Sequence, residues 1–124
     1  MILVDTSIWI EHLRSDLPQL AERLERGEVA THPWVIGELA CGNLQKRQTV
    51  LGLLSALPRV VTATDHEVLL TIENRRLMGR GIGFIDAHLL TSALLSNTAL
   101  WTKDRRLSAV AHNLGLLCPA AIGS

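Results

Sequence analysis

The chain has 124 residues, with 12 basic and 12 acidic side chains and 48% hydrophobic residues. That length and apolar content are enough for a hydrophobic core, so we expect residues 1–124 to form one domain. A formal net charge of zero excludes recognition of a polyanion through bulk charge alone. Cys41 and Cys118 lie too far apart for a zinc motif or a disulfide framework, which favours a reducing, cytoplasmic location. No apolar run reaches membrane-spanning length, so we expect no membrane association.

Short apolar segments alternate with amphipathic ones along the chain. Gly27 is typical of a helix end, Pro33 of a helix start, and Thr64 and Asp65 offer a cap for a helix that runs to about Met78. Alternating strands and helices predict an α/β fold, a short and mostly parallel sheet flanked by helices on both faces. Strands are predicted at residues 2–4, 28–31, 59–63, 99–102 and 116–118, and the other helices at 6–14, 17–26, 34–42, 45–54, 85–96 and 105–113.

Four acids stand inside apolar sequence: Asp5, Glu38, Asp86 and Asp104. A buried carboxylate is costly unless it is paired or binds a metal ion. Asp5 and Asp104 fall at or just past predicted strand ends, and Asp86 begins the helix before the strand that leads to Asp104. Ligands of parallel α/β sheets bind beyond the carboxyl ends of strands. The sequence therefore predicts that the four acids converge on one cation site.

Simpler interpretations remain open for each acid. Asp5, Asp86 and Asp104 each stand before a helical stretch, where an aspartate commonly caps the helix by accepting a backbone N–H. Glu38 has no cation three or four residues away on its helix, so a lysine or arginine from elsewhere in the fold is the alternative partner.

Several carboxylates without cysteine ligands favour a hard cation such as Mg²⁺ or Mn²⁺. Two such ions about 3.5–4 Å apart can hold the attacking and leaving oxygens of a phosphodiester displacement. A haloacid-type phosphatase would need Asp-x-Asp after the first strand, whereas this chain has Asp5, Thr6 and Ser7. A receiver-type signalling domain would need an acidic pair there, although Lys103 suits that class.

The same segments carry a resemblance to a known family. Residues 1–10 (MILVDTSIWI) resemble the start of a PIN-domain protein, and residues 83–90 (GFIDAHLL) and 100–107 (LWTKDRRL) resemble its later motifs. Glu38, within residues 35–39 (VIGEL), matches the family's second acid. Order, spacing and size resemble the VapC-type toxins of prokaryotic toxin–antitoxin pairs over essentially the whole chain.

The resemblance implies a metal-dependent endoribonuclease that cleaves RNA and stops translation. Asp5, Glu38, Asp86 and Asp104 map onto the acids that hold Mg²⁺ or Mn²⁺, and relatives vary most around the fourth acid. Thr6 and Thr102 map onto hydroxyl positions that support those acids, with capping or strand packing as the alternative. The resemblance also implies a homodimer and a small antitoxin protein encoded beside the toxin.

Contacts to RNA are less clearly indicated. Lys103, Arg105 and Arg106 flank Asp104 and are candidate phosphate contacts, although such a charge run is also typical of a solvated surface. None of the five histidines lies in a motif that suggests catalysis. Two functions from different classes therefore stay open, an active metallo-ribonuclease and a catalytically silent PIN-like module that binds RNA or a protein. The intact set of four acids favours the enzyme.

Overall fold

The computed structural model describes residues 1–118, which form three short strands and seven helices, with two helices after the first strand, four after the second and one after the third. The strands are β1 (Ile2–Val4), β2 (Val29–Ala30) and β3 (Ala99–Trp101). The helices are α1 (Thr6–Ser15), α2 (Pro18–Glu25), α3 (Pro33–Ala40), α4 (Arg47–Ala56), α5 (Asp65–Asn74), α6 (Phe84–Leu95) and α7 (Arg105–Asn113).

The sheet has the order β2-β1-β3, and both neighbours pair with β1 in parallel. Ile2 lies opposite Val29 on one side and Ala99 on the other, while Val4 lies opposite Trp101. All three residues of β1 are buried, as expected for a central parallel strand covered on both faces. The predicted α/β class with a mostly parallel sheet is confirmed.

Helix α6 runs through the middle of the core. Its residues 87–93 are all buried, because the helix carries apolar or small side chains around its whole circumference. Leu89 and Leu90 belong to the same hydrophobic cluster as Leu3 of β1 and Leu100 of β3. This central position fixes the N-terminal turn of α6, which carries Asp86, relative to the sheet.

The prediction of a strand at residues 59–63 is wrong. Only Arg59 forms a parallel bridge, with Thr31. The N–H of Val60 completes this bridge by donating to the Thr31 carbonyl at 3.1 Å. After it, the N–H of Val61 donates to Oγ of Ser96, the C-cap of α6, at 2.8 Å, and that of Ala63 donates to Ser92 Oγ within α6 at 3.0 Å. The last predicted strand, 116–118, is likewise reduced to an isolated bridge between Leu100 and Leu117.

Several helix ends differ from the prediction. Helix α5 begins with a capping box between Thr64 and Glu67, as the sequence suggested, but it ends at Asn74 and not near Met78. Helix α6 begins at Phe84, so Asp86 lies inside its first turn and does not precede it. Helix α3 ends at Ala40, two residues before the predicted end, and α4 spans Arg47–Ala56 where residues 45–54 were predicted. No helix within residues 1–118 is long and apolar enough to cross a membrane.

Candidate active site

Asp5 and Thr102 are brought together because they follow adjacent parallel strands. The register places Val4 opposite Trp101, and the N–H of Asp5 donates to the carbonyl of Trp101 at 2.9 Å. Thr102 Oγ1 then donates to Asp5 Oδ2 at 2.8 Å, and Ser7 Oγ donates to the same oxygen at 2.8 Å. Asp5 is buried but makes no side-chain cap for α1. The capping alternative is therefore wrong for Asp5.

Glu38 reaches the site from α3, which follows the neighbouring strand β2. Val35 and Leu39 hold α3 against the core, and Glu38 lies on the exposed side of the helix. The buried position expected from its apolar neighbours is wrong, because of those three and four residues away only Val35 is buried, whereas Trp34 and Cys41 are exposed like Glu38. The side chain that binds Glu38 is not a lysine or arginine. It is Thr6, whose Oγ1 donates to Glu38 Oε1 at 2.8 Å.

Asp86 lies half-buried in the first turn of α6, where its Oδ2 accepts the N–H of Gly83 at 3.3 Å. Burial raises the pKa of Asp86, and the nearby carboxylates Asp5, Asp104 and Glu38 raise it further, while the bond from Gly83 lowers it. Asp86 therefore feels the charge of all three other acids. The four side chains form one electrostatic cluster around Asp86.

Asp104 is the N-cap of α7. Its Oδ1 accepts the backbone N–H groups of Arg106 at 2.9 Å and Leu107 at 3.1 Å, so the capping interpretation is correct for this residue. Capping does not remove it from the cluster, because its own N–H donates to Thr102 Oγ1 at 3.1 Å and its charge acts on Asp86.

The four acids share one hydrogen-bonding pattern. Each uses one carboxylate oxygen to bind the protein and leaves the other without a hydrogen bond to any described residue. None forms an ion pair with a residue in the range 1–118. The oxygens without a partner are Asp5 Oδ1, Glu38 Oε2, Asp86 Oδ1 and Asp104 Oδ2.

The chemistry of these four carboxylates suits a hard divalent cation. Carboxylate oxygens are the preferred protein ligands of Mg²⁺ and Mn²⁺, and Mg²⁺ usually keeps several of its waters. The spacing is looser than that of a closed cage, since within residues 1–118 no three acidic, histidine or cysteine side chains lie close enough together to hold an ion. Within residues 1–118 the four carboxylates therefore do not form a ready-made ion-binding group, although their chemistry suits a hard cation.

The three predicted RNA contacts have different surroundings. Lys103 Nζ forms an ion pair with Glu11 Oε2 at 2.7 Å across the start of α1, which offsets its charge. Arg106 packs its side chain against the Gly81 backbone, where an added Cβ would lie 2.7 Å from Arg106 Cδ. Arg105 is exposed on the first turn of α7.

Two buried histidines lie in a separate network behind α3. His88 Nε2 contacts Asp65 Oδ1 at 2.9 Å, and the His88 ring stacks on Trp34 at a centroid distance of 4.9 Å. His32 Nδ1 accepts the N–H of Trp34, and His32 Nε2 lies 3.0 Å from Ser92 Oγ. Burial, with the nearby charges of His88 and Arg59, lowers the pKa of His32 to about 4. These contacts place both rings in the scaffold and not among the four acids.

Two open grooves flank α1. One, of about 570 Å³, is lined by apolar side chains of α1, α3 and α4, and its wall also contains Glu38, Arg14 and Lys46. The other, of about 620 Å³, is lined by Ser7, Arg14, Lys103 and Asp104 among others. Each groove thus has one of the four acids in its wall.

The sequence analysis gave Ser7 no role. Its hydroxyl donates to Asp5 Oδ2 and accepts the N–H of Lys103 at 3.1 Å, so it belongs to the hydrogen bonds that hold the first acid. The only hint in the sequence is its place two residues after Asp5, a spacing at which short polar side chains form local hydrogen bonds.

The chain is similar to known proteins in both sequence and fold. The family model of the PIN domain matches residues 2–113, and the chain belongs to that family. Within it the chain is a VapC-type protein: it is 49% identical to Ribonuclease VapC32 of Mycobacterium tuberculosis, strains CDC 1551 / Oshkosh and H37Rv, over 117 residues and 94% of each chain. The crystal structure of PAE2754 from Pyrobaculum aerophilum matches with a TM-score of 0.64 and 21% identity, over 88% of this chain and 83% of that one. At that identity the match shows a shared fold only.

Proposed function

We propose that the protein is a Mg²⁺- or Mn²⁺-dependent endoribonuclease that acts as the toxin of a type II toxin–antitoxin system and inhibits translation by cleaving RNA. The proposal rests on one observation above all. Each of the four acids that match the PIN-domain motifs has one carboxylate oxygen without a hydrogen bond to a described residue, and the charges of the other three act on Asp86. The 49% identity to Ribonuclease VapC32 across nearly the whole chain supports the same activity.

In this proposal Asp5, Glu38, Asp86 and Asp104 are both the metal ligands and the catalytic residues. The metal would activate water and stabilise the charge that develops on the scissile phosphate. Thr6, Thr102 and the N–H of Gly83 each hold one oxygen of an acid, which would leave the other oxygen for the cation. Arg105 and Arg106 lie beside Asp104, where they would contact the RNA backbone, and Lys103 would do so once released from Glu11.

The ends of the RNA products test this chemistry. Hydrolysis by metal-activated water leaves a 5′-phosphate and a 3′-hydroxyl, whereas attack by the 2′-hydroxyl leaves a cyclic phosphate. We expect 5′-phosphate ends, loss of cleavage in EDTA, and recovery with added Mn²⁺ or Mg²⁺. Asp5→Asn should lower the cleavage rate by orders of magnitude. Asp16→Asn is the matched control and should leave the rate unchanged, because Asp16 is an exposed acid at the end of α1. Cyclic-phosphate ends, or full activity in EDTA, would contradict the proposal.

We also propose a small antitoxin protein as the partner of the apolar groove. Ile10 and Leu13 of α1 and Leu39 of α3 line that groove, and Glu38 offers an acceptor for a basic side chain. An apolar helix with a lysine or arginine at one end would match both features. Co-expression with the neighbouring small gene tests this, since the pair should be purified together and the nuclease should be inactive.

A homodimer is the remaining part of the proposal. Leu69 and Leu70 of α5, together with Met78 and Phe84, are large apolar side chains that are about half exposed. Such exposed apolar residues are typical of interaction surfaces. Analytical ultracentrifugation should give the mass of two chains, and Leu69→Lys should shift the protein toward the monomer.

A further inference from the structure

We infer that Ser7 is a positioning residue that sets the place of Asp104 relative to Asp5. The inference rests on the proposed function, because it concerns how the two acids are held for a common divalent cation. Ser7 is neither a candidate metal ligand nor one of the hydroxyl residues predicted from the motifs.

The geometry consists of two parallel hydroxyl bridges. Thr102 Oγ1 donates to Asp5 Oδ2 and accepts the N–H of Asp104, while Ser7 Oγ donates to the same Oδ2 and accepts the N–H of Lys103. A hydroxyl has one donor and two acceptor positions, so each bridge uses the donor and one acceptor. One oxygen of Asp5 is thereby linked to two consecutive backbone amides of the segment that carries Asp104.

The Ser7 bridge and the Thr102 bridge join different segments of the chain. Thr102 belongs to the same segment as Asp104, whereas Ser7 lies in the first turn of α1. Ser7 therefore links α1 to the turn between β3 and α7, which is also held by the Thr102 bridge and by the Asp104 cap at its far end. Without its hydroxyl, Asp5 Oδ2 loses one of two donors and the Lys103 N–H loses its acceptor.

Loss of this bridge should affect placement more than folding. Ser7 is only partly buried, so water can replace its hydroxyl in both hydrogen bonds at small cost to stability. Residues that orient metal ligands typically change metal affinity by about 10- to 100-fold when they are mutated. We therefore expect Ser7→Ala to bind Mn²⁺ about 10- to 100-fold more weakly, with a melting temperature in EDTA close to that of the wild type.

The first experiment measures Mn²⁺ binding by calorimetry and backbone amide exchange by NMR in Ser7→Ala, Ser7→Thr and Ser15→Ala. Ser15 is the matched control, since its exposed hydroxyl only contacts the carbonyl of Glu11 in the same helix. Ser7→Ala should speed exchange of the Lys103 amide by about 10-fold or more. Ser7→Thr keeps the hydroxyl and should restore both readouts, and Ser15→Ala should change neither.

The second experiment asks whether Ser7 acts through Asp104. Asp104→Asn keeps a good N-cap for α7 but removes the carboxylate. If Ser7 positions Asp104, Ser7→Ala should weaken Mn²⁺ binding by less than about 3-fold in the Asp104→Asn background, because residues that act together are not additive. An undiminished effect there would mean that Ser7 acts on Asp5 alone and would overturn the inference.

The two readouts separate this inference from the proposed function. Unchanged exchange at Lys103 in Ser7→Ala overturns the bridge itself, and faster exchange with unchanged Mn²⁺ affinity overturns its role at the cation site. A wild-type protein that binds no Mn²⁺ overturns the metal-dependent function and, with it, the positioning of ligands. The amide exchange of Lys103 still decides in that case whether the bridge exists.

Discussion

Thr6 and Glu38 are joined by a hydrogen bond of 2.8 Å between their side chains, although 32 residues separate them along the chain. Thr6 opens α1, directly after the central strand, and Glu38 lies near the end of α3. The bond gives an exposed glutamate a defined orientation, which packing alone would not provide for a side chain with several rotatable bonds. In the proposed function, this orientation would allow Glu38 to act together with Asp5.

Removal of that bond should weaken the cation site without unfolding the protein. A hydrogen bond to a charged group contributes about 1.5–3 kcal/mol, and 1.4 kcal/mol is a tenfold change in an equilibrium constant. We expect Thr6→Val to lower Mn²⁺ affinity by about 10-fold, as measured by calorimetry. Thr71→Val is the control, because Thr71 Oγ1 only contacts the carbonyl of Glu67 within α5. Equal affinities in the two variants would show that Thr6 does not orient Glu38.

Divalent cations should stabilise the folded protein. A ligand that binds only the folded state at 100 times its dissociation constant adds about 2.7 kcal/mol to the free energy of unfolding. For a domain of this size, about 1 kcal/mol moves the melting temperature by roughly 3–6 °C. Thermal melts in EDTA and in millimolar Mn²⁺ or Mg²⁺ should therefore differ by several degrees. Curves that coincide would contradict a common cation site.

Replacing the Asp86 carboxylate with a neutral side chain should have the clearest effect on stability among the four acids. Burial and three neighbouring carboxylates disfavour its ionised form, so the folded chain holds the proton of Asp86 more tightly than the unfolded chain does. The ionised group lowers stability at neutral pH, and this loss shrinks as pH falls through the raised folded pKa and is gone below the ordinary pKa of an aspartate in the unfolded chain. Asp86→Asn should melt at a higher temperature than the wild type in EDTA at pH 7 and respond less to Mn²⁺. A lower melting temperature in EDTA would contradict the repulsion.

The sequence predicted the class of fold and the order of the site residues because both depend on local patterns. Alternating apolar strands and helices indicated the parallel sheet, and strand ends located Asp5 and Asp104. The sequence did not predict which acids are buried. Glu38 lies within an apolar segment and Asp104 follows one, but both side chains are exposed. The hydroxyl of Ser7 was also missed, because its second partner, Lys103, is distant in sequence and close only through the β1–β3 register.

The strand wrongly predicted at residues 59–63 has a similar origin. Val60 and Val61 have the β-branched character of a strand, but the sheet ends at β2 on that side and pairs only through Thr31. The backbone donors of Val61 and Ala63 are instead satisfied by serines of α6. Strand preference reflects the packing environment, and here the environment was a helix surface with hydroxyl acceptors.

The ion pair between Glu11 and Lys103 should limit how strongly the site attracts RNA. Glu11→Gln would release the Lys103 ammonium toward the groove that contains Asp104. Each additional contact to a single-strand phosphate steepens the logarithmic salt dependence of binding by about 0.7. We expect Glu11→Gln to bind RNA more tightly at low salt with a slope steeper by about that amount. The double variant Glu11→Gln/Lys103→Ala should lose the gain, and an unchanged slope in Glu11→Gln would show that Lys103 does not reach phosphate.

Acid should destabilise the fold through His32, which is fully buried as the N-cap of α3. Its pKa falls from 6.5 to about 4 on folding, so between those values the unfolded chain binds more protons. The free energy of unfolding should be unaffected by His32 above pH 6.5 and fall below it, by about 3 kcal/mol in total near pH 4. His32→Asn keeps a neutral cap that can accept the Trp34 N–H but does not titrate. Urea unfolding from pH 7.5 to 4 should therefore give a shallower decline in His32→Asn than in the wild type, with other titrating groups common to both. Parallel curves would show that His32 takes up its proton as readily in the folded protein as in the unfolded chain.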